Sequence, residues 1–374
     1  MSVSRISALG AIALSGALAL SACASANEPN TPAGGAGSSA GAAGAAAPAD
    51  CGTGPVKASG STAQQNAIEQ AIAAYTAKCS GSQVTYNGVG SGQGITDFIG
   101  KQTNFAGSDS ALNAAKGEPD KAKASCGSEA WNLPMVTGPI GVVYNVKGVD
   151  KLVLTPELIT KIFSGKITTW NDPAIAKVNS GVTLPSTPIS VFFRSDSSGT
   201  TDNFTNYMNT VDPANWPDKH SKSWTGKVGQ GKAKSAGVGQ AVQSTDGGIG
   251  YDEWSYAIVN NLKTAEIDSG SGPVALSADA AGKAIAAAKQ VGTGNDLALK
   301  IDYKTKAPGA YPIILATYEI VCSKYSDATT GKNVKAFLSY MASNDFQSTL
   351  TKVGSAPLPT EIMTKVQDAI KAIA

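Results

Sequence analysis

The sequence predicts an α/β protein of two lobes joined by paired strands, and three observations carry that expectation. Three successive strand candidates, residues 55–58, 83–87 and 105–108, each run into a small polar or glycine-rich loop, the pattern of the ligand-facing edge of an open α/β sheet. Two long apolar runs, residues 134–144 and 311–321, stand far apart in the chain, so that one can carry it out of a lobe and the other can return it. Between them the β-branched and aromatic run 189–193 delivers Arg194-Ser195-Asp196-Ser197-Ser198-Gly199-Thr200 into a turn before a polar helix. A helix N-terminus leaves amides unpaired and holds anions, Arg194 adds a fixed fork of donors, and Asp196 can pin that fork.

The N-terminus reads as an address. Arg5 supplies a positive charge, residues 6–20 are apolar, and the stretch ends in Leu20-Ser21-Ala22-Cys23. This pattern is that of a lipoprotein signal (residues 1–23), with Cys23 lipidated and the protein held on the outer face of the membrane. Residues 24–50 are Ala, Gly, Ser, Pro and Asn with hardly a large apolar side chain, which predicts a disordered tether reaching roughly 30 Å. Four cysteines follow, Cys51, Cys79, Cys126 and Cys322, and an even number in an exported chain predicts two disulfides. Three pairings are possible; Cys51–Cys79 is favoured because it staples the bases of the first two strands, leaving Cys126–Cys322 to close a very long loop.

The folded region is read in order. A strand at 55–58 leads through Gly60-Ser61-Thr62 to a helix at 63–78, with Ala67, Ile68, Ala71, Ile72 and Tyr75 on one face and Ser61 or Thr62 as N-cap. The strand 83–87 opens into Gly88-Val89-Gly90-Ser91-Gly92-Gln93-Gly94, read as a loop, with a helix at 95–101. The strand 105–108 ends at Asp109. After the long strand at 131–146 come a helix near 155–163, the strand 189–193, a strand at 247–251 and a helix at 253–260; residues 262–310 are Gly- and Ala-rich and say little. The strand 311–321 and helices at 332–342 and 359–373 finish the chain.

Composition excludes several classes. A net charge of +2 without basic clusters gives no footprint for nucleic acid. The single histidine, His220, lies in a polar segment read as exposed loop, and no His/Cys cluster has metal-ligand spacing, so neither a metal nor a cofactor is expected. Gly88–Gly94 has dinucleotide-like spacing, but no nucleotide-sized domain or ribose-binding acid is evident.

Taken together, Gly60-Ser61-Thr62, the Gly88–Gly94 loop, Gly107-Ser108-Asp109, the segment from Ile162-Phe163-Ser164-Gly165 to Trp170-Asn171-Asp172-Pro173, Arg194–Thr200, Gly248-Ile249-Gly250-Tyr251 and the 311–318 strand resemble the phosphate-binding lipoproteins and periplasmic proteins of the bacterial phosphate ABC importer. The resemblance spans about residues 51–374 and is thinnest at 111–130, 205–240 and 262–310. It implies a periplasmic-binding-protein-like fold with hinge crossovers and a central cleft: lobe I from 51–141 and 316–374, lobe II from 142–315. It implies phosphate held by Thr62, the Ala63 amide, Ser91 and Asp109 from one lobe and by Arg194, Asp196, Ser198, Gly199 and Thr200 from the other. Two positions depart from the family: Ala63, often aromatic or larger apolar, and Ser197, often Gly.

The resemblance further implies a monomeric, non-enzymatic protein of the cell membrane whose partners are inorganic phosphate and the importer's permease subunits. Asp109 carries the specificity argument: a carboxylate facing an anion is tolerable only when the anion has a proton to donate, which phosphate has and sulfate lacks. The rivals are a binding protein for sulfate or molybdate, a phosphatase using Ser198 or Thr200 as nucleophile, and a surface adhesin. Purely structural readings, Asp109 as a turn residue and Arg194–Asp196 as an ion pair, stand beside the ligand readings.

Overall fold

The computed structural model describes residues 51–374; the lipoprotein signal, Cys23 and the tether lie outside the described residues. Its frame is a mixed sheet of main strands β1 (Gly54–Gly60), β2 (Ser82–Gly88), β3 (Phe105–Ser108), β4 (Ala130–Asn145), β5 (Ser190–Arg194), β6 (Gln230–Lys232), β7 (Gly248–Glu253) and β8 (Ile314–Cys322). The spatial order is β2-β1-β3-β8-β4-β7-β5-β6. The β1, β2 and β3 strands are parallel, as are β5, β6 and β7. The middle is antiparallel: β8 lies between β3 and β4, and β4 pairs with β7.

The β4 strand explains how the chain crosses. Over Ala130–Pro139 its neighbour is β8, and over Ile140–Asn145 its neighbour is β7. A strand of 16 residues is about three times the usual length. It can be nearly all apolar because it is buried from Asn132 to Tyr144, with packing on both faces. The apolar runs singled out in the sequence are therefore the two adjacent central strands.

Helices cover the sheet. The α1 helix (Gln65–Lys78) buries Ala67, Ile68, Ala71 and Tyr75 and returns the chain to β2, parallel and beside β1. Neither Ser61 nor Thr62 caps it; the helix begins at Gln65 without a side-chain cap, because both hydroxyls turn toward other partners described below. The α2 helix (Ser91–Ile99) starts four residues earlier than the sequence suggested, taking in Ser91-Gly92-Gln93-Gly94. Burial of Ile95 and Phe98 offsets the low helix propensity of two glycines, about 1 kcal/mol each. The glycines are needed there: a Cβ on Gly94 would lie 2.4 Å from Gly60 Cα, and one on Gly92 only 1.9 Å from Ser197 Oγ.

Farther on lie α3 (Pro156–Phe163), capped by Thr155, and α4 (Gly199–Val211), whose N-cap is Ser198. Trp170 is fully buried, near Tyr144, and donates its indole N–H to Gly247 O at 3.1 Å, a core role. Residues 262–310 hold a helix at Ala278–Ala286 and short strands that the sequence did not reveal. Cys51 pairs with Cys79 and Cys126 with Cys322. Chain-entropy arguments assign such loops about 3–5 kcal/mol each.

Candidate functional site

The ends of β1, β2, β3 and β5 converge, and the turns that follow them share one small buried cluster. Gly60 makes this approach possible: at φ +144°, a Cβ there would sit 1.9 Å from Gly107 O, so only glycine lets the β1 and β3 turns lie together. Ser61 Oγ donates to Asp109 Oδ1 at 2.5 Å and accepts the Ala63 amide at 3.0 Å. Thr317 Oγ1, from β8, donates to the same Oδ1 at 2.8 Å. Ser91, the first residue of α2, donates to Asp109 Oδ2 at 3.2 Å and accepts the Asp109 amide at 3.1 Å.

The opposite wall is the turn after β5. Arg194 is buried, and its guanidinium grips Asp196 with two parallel hydrogen bonds, Nε to Oδ1 at 2.8 Å and Nη2 to Oδ2. Its Nη1 donates to Ser235 Oγ at 3.2 Å, and Ser235 Oγ also meets Thr62 Oγ1 at 2.9 Å. Ser198 Oγ caps α4 by accepting the Thr201 amide. The first amides of α4, at Gly199 and Thr200, have no intrahelical partner by construction. The Thr200 hydroxyl is buried without any partner, an orphan that a bound oxygen would satisfy. Gly199 presses on the other wall: a Cβ there would stand 2.5 Å from Ser91 Oγ and 2.8 Å from Asp109 Oδ2.

Three further hydrogen bonds tie the walls together. The Gly92 amide donates to Ser197 O at 3.0 Å, Asn203 Nδ2 to Asp109 O at 2.7 Å, and Ser110 Oγ to Asp202 Oδ2 at 2.6 Å. His220 is half-exposed as expected, yet Asp202 Oδ1 engages its Nδ1 at 2.7 Å, which raises the imidazole above its usual value. Ser197, the departure from the family pattern, contributes its carbonyl to this closure while its hydroxyl lies against Gly92.

Electrostatically the cluster is polarised. Burial raises the Asp109 carboxyl above its ordinary value, although the Ser61, Thr317 and Ser91 hydroxyls and the Arg194 charge pull the other way. Burial opposes ionisation of Asp196 too, but the Arg194 hydrogen bonds and charge outweigh it and hold the carboxyl below its usual range. Behind Arg194, burial pushes Asp252 up to about 8 despite the guanidinium. Glu319, fully buried on β8, is pushed up to about 8 by burial and by the charge of Asp109. The nearby Gln64 amide opposes that rise, yet neither Glu319 oxygen makes a hydrogen bond.

These raised carboxyls set a sign for stability. Their contribution is full below the unfolded value, 4.5 for Glu319, and is lost as pH rises through about 8. The melting temperature is therefore expected to fall across that window, and Glu319→Gln to flatten the fall by a few degrees. Parallel melting curves for the two proteins would show that Glu319 does not titrate there.

All nine predicted contact residues, Thr62, Ala63, Ser91, Asp109, Arg194, Asp196, Ser198, Gly199 and Thr200, thus line or brace one cluster. Four residues in it went unread in the sequence. Ser235 follows Lys234, which sits at φ +61°, in a segment without an apolar pattern. Thr317 was hidden in an apolar strand, and Asn203 and Tyr251, whose hydroxyl accepts the Arg194 amide at 3.1 Å, read as helix and strand interior. Among the described residues no His/Cys/Asp/Glu group has the arrangement of a metal site. A buried cluster with a fixed guanidinium, hydroxyls, helix amides without intrahelical partners and the carboxyl of Asp109 suits a small oxyanion carrying a proton.

Comparisons with known proteins agree on the family. A family model described as the PBP superfamily domain matches residues 43–345. The chain is 46% identical over 378 residues to the phosphate-binding protein PstS2 of Mycobacterium bovis (strain BCG / Pasteur 1173P2), covering 100% of both chains. It is 46% identical to the phosphate-binding protein PstS 3 of Mycobacterium leprae over 329 residues, 87% of this chain and 88% of that one. Among solved structures, a high affinity periplasmic phosphate-binding protein (PfluDING) bound with phosphate shares the fold with a TM-score of 0.68 at 24% identity, over 85% of this chain and 93% of that one. A phosphate-binding protein from Stenotrophomonas maltophilia gives a TM-score of 0.68 at 20% identity, over 84% and 94%.

Proposed function

The chain belongs to the phosphate-binding proteins of the PBP superfamily, and from that premise we propose that it captures inorganic phosphate between two lobes and delivers it to the permease of an ABC-type importer. The observation that carries the reading is the pairing of Arg194, with its orphaned neighbour Thr200, against Asp109 across one buried cluster. Arg194, the Gly199 and Thr200 amides and the hydroxyls of Thr62, Ser198 and Thr200 donate to three phosphate oxygens, and Ser91 joins them when its hydroxyl turns from Asp109 to the ligand. Asp196 orients the guanidinium. Asp109 Oδ2, which receives only the long Ser91 bond, accepts the proton of the fourth oxygen. The Ala63 amide, engaged with Ser61 in this structure, joins the ligand once Ser61 rotates.

Lobe I comprises residues 51–141 and 316–374 and lobe II 142–315; the switch of β4 from β8 to β7 after Pro139 supports this division. The lobes close by bending the two central strands, and the closed form is the one the permease reads. Relatives of this kind are binding proteins rather than enzymes, and phosphate is ligand, not cofactor. Lipidation at Cys23 and a tether of about 30 Å would hold a monomeric capture module on the extracytoplasmic face of the cell membrane.

Calorimetric titration of protein freed of bound anion tests the reading. One-to-one phosphate binding with sulfate at least about a thousandfold weaker is expected, the range that a required hydrogen bond can impose. Equal affinity for the two anions would favour a general oxyanion carrier, and no binding by folded protein would discard the transport reading.

A further inference from the structure

Beyond the buried cluster, on the outer side of the Asp109 turn, an open groove of about 1000 Å³ runs between the loop after β3, the first turns of α4 and the 287–304 segment. That volume is several times what a single tetrahedral anion fills. Lys222 lies at its wall with a side chain only 5% exposed. The nearest carboxylate, Glu118 Oε2, is 3.9 Å away, beyond hydrogen-bond reach, and already accepts the Asn113 amide at 2.7 Å. The Lys222 ammonium thus makes no protein hydrogen bond and keeps its protons for whatever occupies the groove, while the rest of its side chain is buried.

The rest of the groove points to the same ligand chemistry. Lys219, Lys289, Lys300 and Lys304 line it and are exposed. None of the four has a carboxylate within 4.0 Å among the described residues; the ion pairs that reach the groove are His220–Asp202 and the long Lys222–Glu118 pair, and neither involves them. The acids that share the groove are committed: Asp202 to Ser110 and His220, Asp302 to the Lys304 amide, and Asp109 to the buried cluster. Cations therefore outnumber free acceptors. They come from two separate segments, Lys219 and Lys222 from one and Lys289, Lys300 and Lys304 from another, and in a groove of this volume a chain of phosphate groups can meet more of them than a single tetrahedral ion can. Lysine is a point charge on a flexible stem and suits such a ligand better than it suits a single fixed geometry.

We propose that this groove, anchored at Lys222, is a second anion site that takes an extended anion bearing several phosphate groups, distinct from the site that holds orthophosphate. The two communicate through one residue: the Lys222 carbonyl accepts the Ser198 amide at 2.8 Å, so the segment that grips the extended anion also braces the turn before α4.

The test is titration of tripolyphosphate, in metal-free buffer, into the full chain already saturated with orthophosphate. Binding is expected at one-to-one stoichiometry, and sulfate at matched ionic strength should give no heat. Lys222→Met keeps the side-chain volume and should weaken tripolyphosphate binding at least about tenfold while orthophosphate still binds. The exposed double variant Lys300→Ser/Lys304→Ser, which removes no buried contact, should weaken it several-fold. Absence of tripolyphosphate binding to the saturated wild-type protein would overturn the proposal, and so would binding that both variants leave unchanged. Because orthophosphate binding is read first on the same sample, failure of this site is separate from failure of the buried one.

Discussion

Replacing Arg194 by Met is expected to weaken phosphate binding by roughly two to three orders of magnitude or more. The guanidinium is buried, so each hydrogen bond it offers acts without competition from water. Asp196 holds it in a two-point grip, and Ser235 fixes its Nη1, so its remaining N–H groups are aimed before a ligand arrives. Removing one member of a buried, hydrogen-bonded charge pair costs about 3–5 kcal/mol, which at about 1.4 kcal/mol per decade is roughly 100- to 1,000-fold or more in affinity. Methionine fills most of the volume but leaves Asp196 facing the anion without compensation, so repulsion adds to the loss. Circular dichroism and the melting temperature report whether the fold persists; calorimetry with phosphate gives the result. Affinity within a few-fold of wild type in a folded variant would remove Arg194 from the ligand contacts and leave it a structural ion pair.

Asp109→Asn is expected to change what is bound more than whether anything is bound. The Ser61 and Thr317 hydroxyls both point at Oδ1, which fixes the carbonyl oxygen of the new amide at that position. The NH₂ group then takes the place of Oδ2, beside Gly199 and the start of α4. An acceptor for a ligand proton becomes a donor. Phosphate loses its partner and sulfate gains one, so the phosphate-to-sulfate affinity ratio should fall at least about a hundredfold, the product of a lost and a gained hydrogen bond of about 1.5 kcal/mol each. The change removes a buried carboxyl whose burial opposes its ionisation, so the unliganded variant should be no less stable than wild type above neutral pH. An unchanged ratio would mean that Asp109 acts as a turn residue, and discrimination would then rest on shape.

Much of this arrangement was legible because it follows local rules. Strands ending in small polar loops can be seen in residue types alone, and the run from Arg194 to Thr200 displays its own chemistry: a fork of donors, its carboxylate, and hydroxyls ahead of a polar helix. The disulfide pairing also followed from local order, with Cys51 and Cys79 at the feet of adjacent strands. What escaped depended on distant partners. Ser235 matters because β6 places it between Thr62 and Arg194, and Thr317 matters because β8 pairs beside β3; no short window contains either fact. The start of α2 was misplaced since glycine normally argues for a loop, whereas here contact with Gly60 and Ser197 requires it inside the first helical turn.

The position of β8 bears on how the chain is made. Ribosomes deliver residues in order, and β8 is among the last segments to appear, yet it sits in the middle of the sheet between β3 and β4. Until residue 322 is available, β3 and the first part of β4 each present an unsatisfied edge, and Cys126 has no correct partner. Cys51, Cys79 and Cys126 all emerge before Cys322 when the chain is exported N-terminus first, so early oxidation on the outer face has a wrong choice open to it until Cys322 arrives. Closing Cys51–Cys79 first, across only 28 residues, removes that choice. The short disulfide thereby acts as a proofreading step, reserving Cys126 for a strand that arrives late, and the nascent chain is most exposed to aggregation in the interval before β8 docks.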